Sequence, residues 1–338
     1  MDQKTSSASG RGREPAGGRA PVAGFGQCAL DFLCTIDRYP PLDTKCEFDD
    51  FMVQGGGPVA TALVVLARWG IPARFAGVVC PDPFGRLILE GLKEERIDTS
   101  AIRIREGSRS QFAFICVEKE TGKRTIFWGR PDTPVFPPLE PPENFLKGAG
   151  ALHLDGLFPE ASIRLAKEAK ERRIPVILDA GTLRPGMLEL VRYTDHLIAA
   201  ENFVSQFSPE DPLPRRLEAL KRLGPEVVAV TLGQRGSVSL WEGVPYHLPA
   251  LRVRARDTTG AGDVFHGAYI YGLLQGWAPP ERIRLATVAA GLSCRSLGGR
   301  SGIPTLDEVQ ERLSEPPAPF SSVEDGSPQS PAVSRQVR

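Results

Sequence analysis

The chain carries the stretch Asp257-Thr258-Thr259-Gly260-Ala261-Gly262-Asp263, and an apolar run from Val264 to Leu274 follows it directly. The run lacks proline and strict alternation and is long enough for about three helical turns, so it predicts a buried helix. Three small residues, Gly260, Ala261 and Gly262, stand where this helix would begin. A helix start offers free backbone N–H groups and the positive end of the helix dipole, which an anion can approach when side chains are small. The stretch therefore predicts an anion hole for a phosphate group.

Asp263 would stand in the first turn of the same helix, beside the anion hole. A carboxylate so close to a phosphate is repelled unless it has a chemical task, such as accepting the proton of an attacking hydroxyl group. An acidic residue in a first turn can also serve helix stability alone. The preceding Asp257-Thr258-Thr259 and the fully apolar helix favour the catalytic interpretation, with Asp263 as a general base.

The stretch D-T-T-G-A-G-D resembles the C-terminal signature of the PfkB (ribokinase-like) family of carbohydrate and nucleoside kinases. The resemblance covers about residues 21–313. It implies an ATP-dependent kinase that phosphorylates a hydroxyl group on a small sugar or sugar derivative. ATP is then used as its complex with Mg²⁺. The same resemblance implies Asp263 as the general base and the Gly260–Gly262 helix start as the anion hole.

The composition excludes several classes of partner. Lys plus Arg and Asp plus Glu are equal at 41 each, so no net field draws the protein to nucleic acid or to a membrane surface. No apolar stretch approaches the roughly 20 residues that span a bilayer. The six cysteines form no C-x-x-C pair and the four histidines no i, i+4 pair, which argues against a zinc site. Buried, reduced thiols in a cytoplasmic protein are the expectation.

Two polar tails flank the predicted kinase domain. Residues 1–20 are rich in Gly, Ser, Ala and Arg, and residues 314–338 are rich in Pro and Ser, so both are predicted to be disordered. Between them, short apolar strands alternate with helical patterns, which is typical of an α/β fold with a mainly parallel sheet covered on both faces. The strands are predicted at Pro21 to Gly26, Ala73 to Val79, Ala151 to Leu154, Val176 to Leu178, His196 to Ala199 and Val227 to Leu232.

Two segments, about residues 32–53 and 112–128, are rich in β-forming residues and have no companion helix. The second contains the hairpin turn Glu120-Thr121-Gly122-Lys123. Strands without helices need a separate sheet to pack in, and in ribokinase-like kinases two such insertions form a lid over the sugar site. An exposed edge on such a lid favours pairing with a second copy, so a homodimer through the lid is expected.

A second glycine-rich segment, Gln54-Gly55-Gly56-Gly57-Pro58, precedes another predicted helix, from Gly57 to Trp69. Read alone, it is either a hinge or a helix start that binds a hydroxyl-rich ligand. It resembles the family signature G-G-x-x-x-N, with Gly56 and Gly57 as the glycine pair and Thr61 in place of Asn. The resemblance also implies that Asp31 binds two acceptor hydroxyl groups. Acceptor choice would then depend on lid residues such as Arg109.

The nucleotide side of the site is implied by weaker similarities. Thr231, Gly233 and Gly236 follow a strand and resemble the T-x-G-x-x-G loop beside the ATP phosphates, although an ordinary hairpin has the same pattern. An altered N-x-x-E motif leaves Glu201 or Asn202 to organise magnesium through water, with Asn202 also near ATP. Asp257 and Thr259 resemble ligands of a monovalent cation such as K⁺, which the segment Gly298 to Pro304 would complete.

Three other interpretations compete with a sugar kinase. Gly24-Phe25-Gly26-Gln27-Cys28-Ala29 matches a dinucleotide fingerprint, but no helix can follow it before Tyr39-Pro40-Pro41, so that site is rejected. A nucleoside or vitamin-precursor kinase, such as one for hydroxymethylpyrimidine, would use the same fold. A catalytically idle sugar sensor would keep the fold as well, but it should have lost Asp263 or the glycines, and all are present.

Overall fold

The computed structural model describes residues 20–129, 143–241, 243–315 and 321–322. The predicted tails, 1–20 and 314–338, lie almost wholly outside the described residues. A nine-stranded sheet forms the centre, in the order β15-β14-β13-β12-β11-β10-β9-β1-β4. Neighbouring strands from β4 to β12 pair in parallel, and β13, β14 and β15 extend the sheet beyond β12 with antiparallel pairing. The prediction of a mainly parallel sheet is confirmed.

The strands of this sheet are short apolar segments. They are β1 (Val22–Phe25), β4 (Ala73–Ala76), β9 (Ala151–Leu154), β10 (Val176–Ala180), β11 (His196–Ala200), β12 (Val227–Thr231), β13 (Ser237–Trp241), β14 (Val244–Leu248) and β15 (Ser321–Ser322). Successive strand residues point to opposite faces, so each face has its own core. Ile177 and Ile198 pack on one side and Leu178 and Leu197 on the other.

Helices cover both faces, as predicted. They are α1 (Pro58–Arg68), α2 (Pro83–Glu94), α3 (Pro159–Glu171), α4 (Met187–Val191), α5 (Glu201–Phe207), α6 (Leu213–Arg222), α7 (Ala261–Leu274), α8 (Pro279–Ser293) and α9 (Leu306–Ser314). Residues of α1, α2, α7, α8 and α9 belong to one core, and residues of α3 to α6 belong to the other. A 3₁₀ turn at Gly233–Arg235 joins β12 to β13.

Helix α7 is the predicted buried helix, and it packs against α1 at a glycine. A Cβ built at Gly267 would lie 2.7 Å from the Ala62 carbonyl oxygen and 2.7 Å from the Val65 Cβ. The missing side chain therefore lets the two backbones approach closely. Because α1 follows the acceptor glycines and α7 follows the anion hole, this contact brings the two predicted half-sites together.

The two predicted lid segments form one separate four-stranded sheet. Its strands are β2 (Ala29–Ile36), β3 (Phe51–Gly56), β7 (Phe112–Glu118) and β8 (Arg124–Gly129), in the order β3-β2-β7-β8. Leu33, Ala113, Ile115 and Val117 cluster with Leu297 of the main domain, which defines the inner face of the lid. Residues 37–50 contribute no strand, because turn and proline residues interrupt the predicted first segment.

Two expectations need correction. The predicted strand from Ala73 to Val79 divides at Gly77 into β4 and β5 (Val78–Val79), and β5 pairs with β6 (Arg103–Ile104) in a two-stranded sheet. A Cβ at Gly77 would lie 2.8 Å from the Gly26 carbonyl oxygen, so the chain leaves the central sheet at a tight approach. The six cysteines are free, but only Cys28, Cys80 and Cys294 are buried. Cys34 and Cys116 are half-buried in the lid strands, and Cys46 is exposed in the loop before β3.

In the part of the chain that the structure describes, no helix combines the length and the apolar character that crossing a membrane requires.

Candidate active site

The start of α7 leaves two backbone amides open. Among the described residues, the N–H groups of Gly262 and Asp263 have no hydrogen-bond acceptor, and that of Ala261 makes only a long bond of 3.4 Å to Thr258. A Cβ at Gly262 would meet no atom within 4 Å, so the space above these amides is open. Free amides, the helix dipole and open space together form a site that suits an anion.

Gly260 makes this helix start possible. Its φ of 72° is left-handed, and a Cβ there would lie 2.6 Å from the Gly299 Cα. Glycine is therefore required both for the backbone turn and for the approach of the 298–303 loop. The anion hole at this helix start stays a prediction that the local geometry suits.

Asp263 is partly exposed at the first turn of α7, beside the open amides. Burial raises its pKa well above the ordinary value, and the negative charges of Asp179 and Asp31 add to this effect. The Asp179 carboxylate lies 3.5 Å from the His266 Nδ1, one helical turn after Asp263. A carboxylate whose pKa is raised toward working pH accepts a proton more readily, which suits a general base.

The acceptor glycines lie against charged side chains. Gly56 is in contact with the buried carboxylate of Asp31, which occupies the space that a Cβ would take. In the same way, a Cβ at Gly55 would overlap the Nη1 atom of Arg300. Gly57 has a φ of 97° and caps α1. Burial raises the pKa of Asp31 to about 6, although the Arg300 guanidinium opposes that shift.

Arg300 and Asp155 contact segments of the predicted site, and the motifs do not reveal these contacts. Arg300 is 5% exposed; its Nη2 donates to the Gly56 carbonyl at 3.1 Å and its Nε to the Thr61 Oγ1 at 3.4 Å. Asp155 follows β9 and accepts from the backbone N–H of Gln27 at 2.7 Å. Asp155 directly follows a predicted strand, and Arg300 lies in the segment Gly298 to Pro304, but no motif assigns a role to either side chain.

Thr61 is buried within α1, and its hydroxyl oxygen is engaged by Arg300. Its expected direct bond to the acceptor remains a prediction. Arg109 is exposed beside the lid, with its guanidinium carbon 5.6 Å from the centre of the Phe112 ring. Phe112 precedes Ala113, the strand partner of Asp31, so Arg109 lies in the neighbourhood of the predicted acceptor site.

The residues predicted for a monovalent cation form a tight turn. The Asp257 Oδ1 accepts from the backbone N–H of Thr259 at 2.8 Å and from its hydroxyl at 2.7 Å. The Oδ2 accepts from the Gly298 N–H at 2.8 Å. This buried carboxylate joins the anion-hole segment to the 298–303 loop, and the donors to it are neutral.

The predicted nucleotide residues gather after β11 and β12. Glu201 begins α5 and forms an ion pair with Arg235, which lies in the turn between Gly233 and Gly236. The Asn202 amide donates to the Thr182 Oγ1 at 3.3 Å. The turn joins two antiparallel strands, so it also has the form of an ordinary hairpin. Within the described ranges, no cluster of three or more His, Cys, Asp or Glu side chains is placed to hold a metal ion.

These groups lie along one edge of the central sheet. Gly26, Asp155, Glu201 and Gly233 all follow the carboxyl ends of parallel strands, which is where open α/β sheets bind ligands. The lid reaches this edge as well, since the Arg124 Nη1 donates to the Thr258 Oγ1 at 3.0 Å. The dinucleotide site is rejected from the sequence, and the structure agrees, because β2 rather than a helix follows Gly26.

Comparison with known proteins decides the family, because the pfkB family carbohydrate kinase profile matches residues 21–306. The chain belongs to the pfkB carbohydrate kinase family. The ribokinase of Lactococcus lactis is 28% identical over 299 residues, covering 87% of this chain and 97% of that enzyme. The ribokinase of Bacillus subtilis is 28% identical over 292 residues, covering 86% of this chain and 98% of that enzyme.

A solved ribokinase structure from Thermotoga maritima has a TM-score of 0.74 and 26% identity, covering 88% of this chain and 100% of that chain. The predicted family and ribokinase-like fold are therefore confirmed. As a pfkB kinase, the protein is a phosphotransferase whose acceptor is a hydroxyl group. The domain bounds 21–313 stay a prediction.

Proposed function

We propose that the protein transfers the γ-phosphoryl group of ATP to a hydroxyl group of a small sugar or sugar derivative. The observation that carries this proposal is the pairing of two open amides at Gly262 and Asp263 with the Asp263 carboxylate beside them. An anion hole alone would suit many ligands. An adjacent carboxylate with a raised pKa adds the proton acceptor that a hydroxyl nucleophile needs.

In the proposed reaction the acceptor hydroxyl lies between Asp31 and the glycine pair Gly56 and Gly57. Its oxygen forms a bond to the γ-phosphorus while the bond from that phosphorus to the β–γ bridging oxygen breaks. The hydroxyl proton passes to the Asp263 carboxylate, and ADP leaves. The amides of the Gly260–Gly262 helix start stabilise the charge on the transferred group. The lid excludes water and so suppresses hydrolysis of ATP.

ATP is assigned to the edge formed by the ends of β11 and β12. Thr231, Gly233 and Gly236 would border the phosphates and ribose, and Asn202 would lie beside them. Magnesium enters with the nucleotide as Mg-ATP. Glu201 is the proposed residue that holds its water ligands, because it places an exposed carboxylate at the same edge, next to Arg235.

A monovalent cation such as K⁺ is proposed beside the anion hole. Asp257 is buried, and its carboxylate receives hydrogen bonds from neutral donors only. A buried negative charge is costly without a compensating positive one, so a cation near Asp257 and Thr259 would stabilise this turn. The residues present therefore fit the group, which would order the loop that holds the phosphate.

The proposed assembly is a homodimer through the lid. Phe51, Phe114 and Phe127 each expose more than half of their surface on this sheet. Exposed clusters of large apolar side chains mark interaction surfaces. A second copy of the same sheet would cover this one with a matching surface, which is how two-fold dimers form.

The function is tested by measuring ADP release with sugars, sugar phosphates, nucleosides and hydroxymethylpyrimidine, in Mg²⁺ with and without K⁺. Turnover with a sugar or sugar derivative is the expected result, and stimulation by K⁺ over Na⁺ would support the cation site. Turnover only with nucleosides or hydroxymethylpyrimidine would show that the acceptor is not a sugar, and that the protein is a nucleoside or vitamin-precursor kinase. Binding of a sugar without any ADP release would indicate the idle sensor instead.

A further inference from the structure

Arg300 joins three parts of the candidate site through hydrogen bonds. Its Nη2 donates to the Gly56 carbonyl at 3.1 Å, its Nε to the Thr61 Oγ1 at 3.4 Å, and its backbone N–H to the Gln54 Oε1 at 3.3 Å. The end of lid strand β3, the first turn of α1 and the 298–303 loop therefore meet at Arg300, through its side chain and its backbone N–H. A guanidinium is suited to this task, because its donors are fixed in a planar fork.

Further contacts hold Arg300 in this place. The Arg300 carbonyl accepts from the Arg68 Nη1 at 2.6 Å, and Arg68 is itself paired with Glu95 at 2.6 Å. A Cβ at Gly298 would lie 2.7 Å from the Gln54 Nε2, so the loop can approach β3 only with glycine at that position. The position of Arg300 therefore depends on Arg68, on its ion pair with Glu95 and on the glycine at 298.

A buried cation needs a compensating charge, and acidic groups surround Arg300. It is 5% exposed, so burial lowers its pKa, whereas the charges of Asp31, Glu95 and Asp263 favour its protonated form. Asp31 is the first of these in strength, and it is buried on the inner face of the lid. The two oppositely charged side chains lie against consecutive glycines, where a Cβ atom would otherwise stand: Arg300 at Gly55 and Asp31 at Gly56.

We propose that Arg300 is a positioning residue for acceptor binding, which aligns the Gly55–Gly57 turn with the 298–303 loop and places a positive charge beside the Asp31 carboxylate. This inference rests on the proposed function, in which Asp31 binds acceptor hydroxyl groups. An ionised carboxylate accepts two strong hydrogen bonds from neighbouring hydroxyls. In a protonated carboxyl group one oxygen carries the proton and acts as a donor, so one of these strong bonds is lost.

The charges around Asp31 predict how its pKa changes when Arg300 is removed. Burial raises the pKa of Asp31 to about 6, the Arg300 guanidinium lowers it, and the Asp257 carboxylate raises it further. The Asp263 carboxylate also interacts with Asp31. Without Arg300 the remaining influences all raise the pKa, so Asp31 would be protonated in a larger fraction of molecules at neutral pH.

The decisive measurement is the titration of Asp31 by carboxyl ¹³C NMR, assigned with Asp31→Asn. Arg300→Gln should raise the titration midpoint by about one pH unit or more, the usual effect of one close opposite charge. Arg300→Lys keeps the charge and should leave the midpoint within about half a unit. Arg295→Gln is the matched control, because Arg295 is half-exposed and paired with Glu308 on the surface. An unchanged midpoint in Arg300→Gln overturns the charge role.

Kinetics test the same residue in the working enzyme. In Arg300→Gln, a shift of the Asp31 pKa from about 6 to about 7 should raise the acceptor KM about twofold at pH 7 and nearly tenfold at pH 5. In alkaline buffer this excess should disappear and leave only the effect of the lost bonds to Gly56 and Thr61. The KM for ATP should change less than about twofold. Arg300→Lys should raise the acceptor KM at every pH, because the bonds to Gly56 and Thr61 are disturbed while the charge remains. An acceptor KM that is unaffected in both variants overturns the positioning role.

Two further results separate this inference from the proposed function. If the wild-type enzyme phosphorylates no sugar, the proposed function fails, while the NMR titration still decides whether Arg300 sets the charge of Asp31. If Arg300→Gln does not fold, the double variant with Asp31→Asn removes both charges together. That double variant should then fold, and its failure to do so would show a purely structural Arg300 and overturn the inference.

Discussion

At the scale of single residues, the central feature is a group of three neighbouring acidic side chains. Asp263 stands beside Asp179 and Asp31, and burial together with these like charges raises its pKa. The negative charge of Asp263 is costly in the free enzyme, and taking a proton from the acceptor removes that cost. The same environment that destabilises the carboxylate therefore favours its role as a base.

Asp263→Asn keeps the size of the side chain but cannot take the proton. We expect kcat to fall by roughly 10²- to 10⁴-fold while ATP affinity is retained, since a positioned general base usually contributes that much. In the wild-type enzyme, kcat/KM should fall as pH decreases through the raised pKa of Asp263, because only the ionised form accepts a proton. The residual activity of the variant should lack this acidic limb.

Asp307→Asn is the matched control for that variant. Asp307 is likewise a first-turn acid, at the start of α9, and it is exposed. Its loss should cost at most about 1 kcal/mol in the free energy of unfolding and leave kcat unchanged. If a folded Asp263→Asn protein behaves like this control and keeps more than about a tenth of wild-type kcat, Asp263 is not the base.

Single residues also mark the limit of what the sequence reveals. Asp263 and the glycine pair Gly56 and Gly57 can be proposed from the sequence because they belong to local patterns whose geometry is short-range. Arg300 and Asp155 are not found, because their meaning depends on neighbours that are more than 100 positions away in the chain. A lone arginine beside two glycines is equally compatible with a solvated loop.

At the scale of secondary-structure elements, the junction of β3 and α1 is the most constrained segment. Its three glycines have three different neighbours: the Arg300 guanidinium at Gly55, the Asp31 carboxylate at Gly56 and the Gln27 carbonyl at Gly57. The sequence predicts a close approach at this junction, since consecutive glycines permit it. Which group approaches each glycine depends on how β2 and the 298–303 loop pack.

Gly56→Ala tests this junction. The added methyl group would overlap the Asp31 carboxylate, so we expect the acceptor KM to rise about tenfold or more and the protein to lose about 1–3 kcal/mol of stability. Acceptor kinetics and chemical denaturation measure the two effects. A wild-type acceptor KM in a folded Gly56→Ala protein would show that Asp31 is not held against this glycine.

Gly91→Ala provides the comparison. Gly91 lies within α2, and a Cβ there would meet no atom within 4 Å. Because alanine favours the helix by up to about 1 kcal/mol over glycine, this variant should be slightly stabilised with unchanged kinetics.

The lid shows which elements local patterns predict well. The hairpin of β7 and β8 has a turn at Gly122 with a φ of 64°, and the sequence predicts it from the turn residues. The parallel pairing of β2 with β7 is not predictable in the same way. The paired residues lie about 80 positions apart, and the register depends on the packing of the whole inner face against Leu297.

At the scale of the whole molecule, the lid presents an apolar outer surface. We expect the wild-type protein to sediment as a dimer at micromolar concentration. Phe127→Glu should give a monomer, because it places a charge on edge strand β8 of the lid. Analytical ultracentrifugation of both proteins measures the difference.

Leu188→Glu is the control for the assembly, since Leu188 is an exposed apolar residue of α4, in the main domain. It should leave the dimer intact. A monomeric wild-type protein, or equal dissociation in both variants, would contradict assembly through the lid.

The contact of α1 with α7 has a consequence for how the protein is made. Asp31 and Gly56 belong to the first part of the chain, whereas Asp263 and Arg300 belong to the last. During synthesis the N-terminal strands and α1 leave the ribosome long before their partners exist, so one side of α1 remains uncovered until α7 follows. A nascent chain that stops short of Ala261 would therefore offer chaperones the apolar surface that α7 later covers.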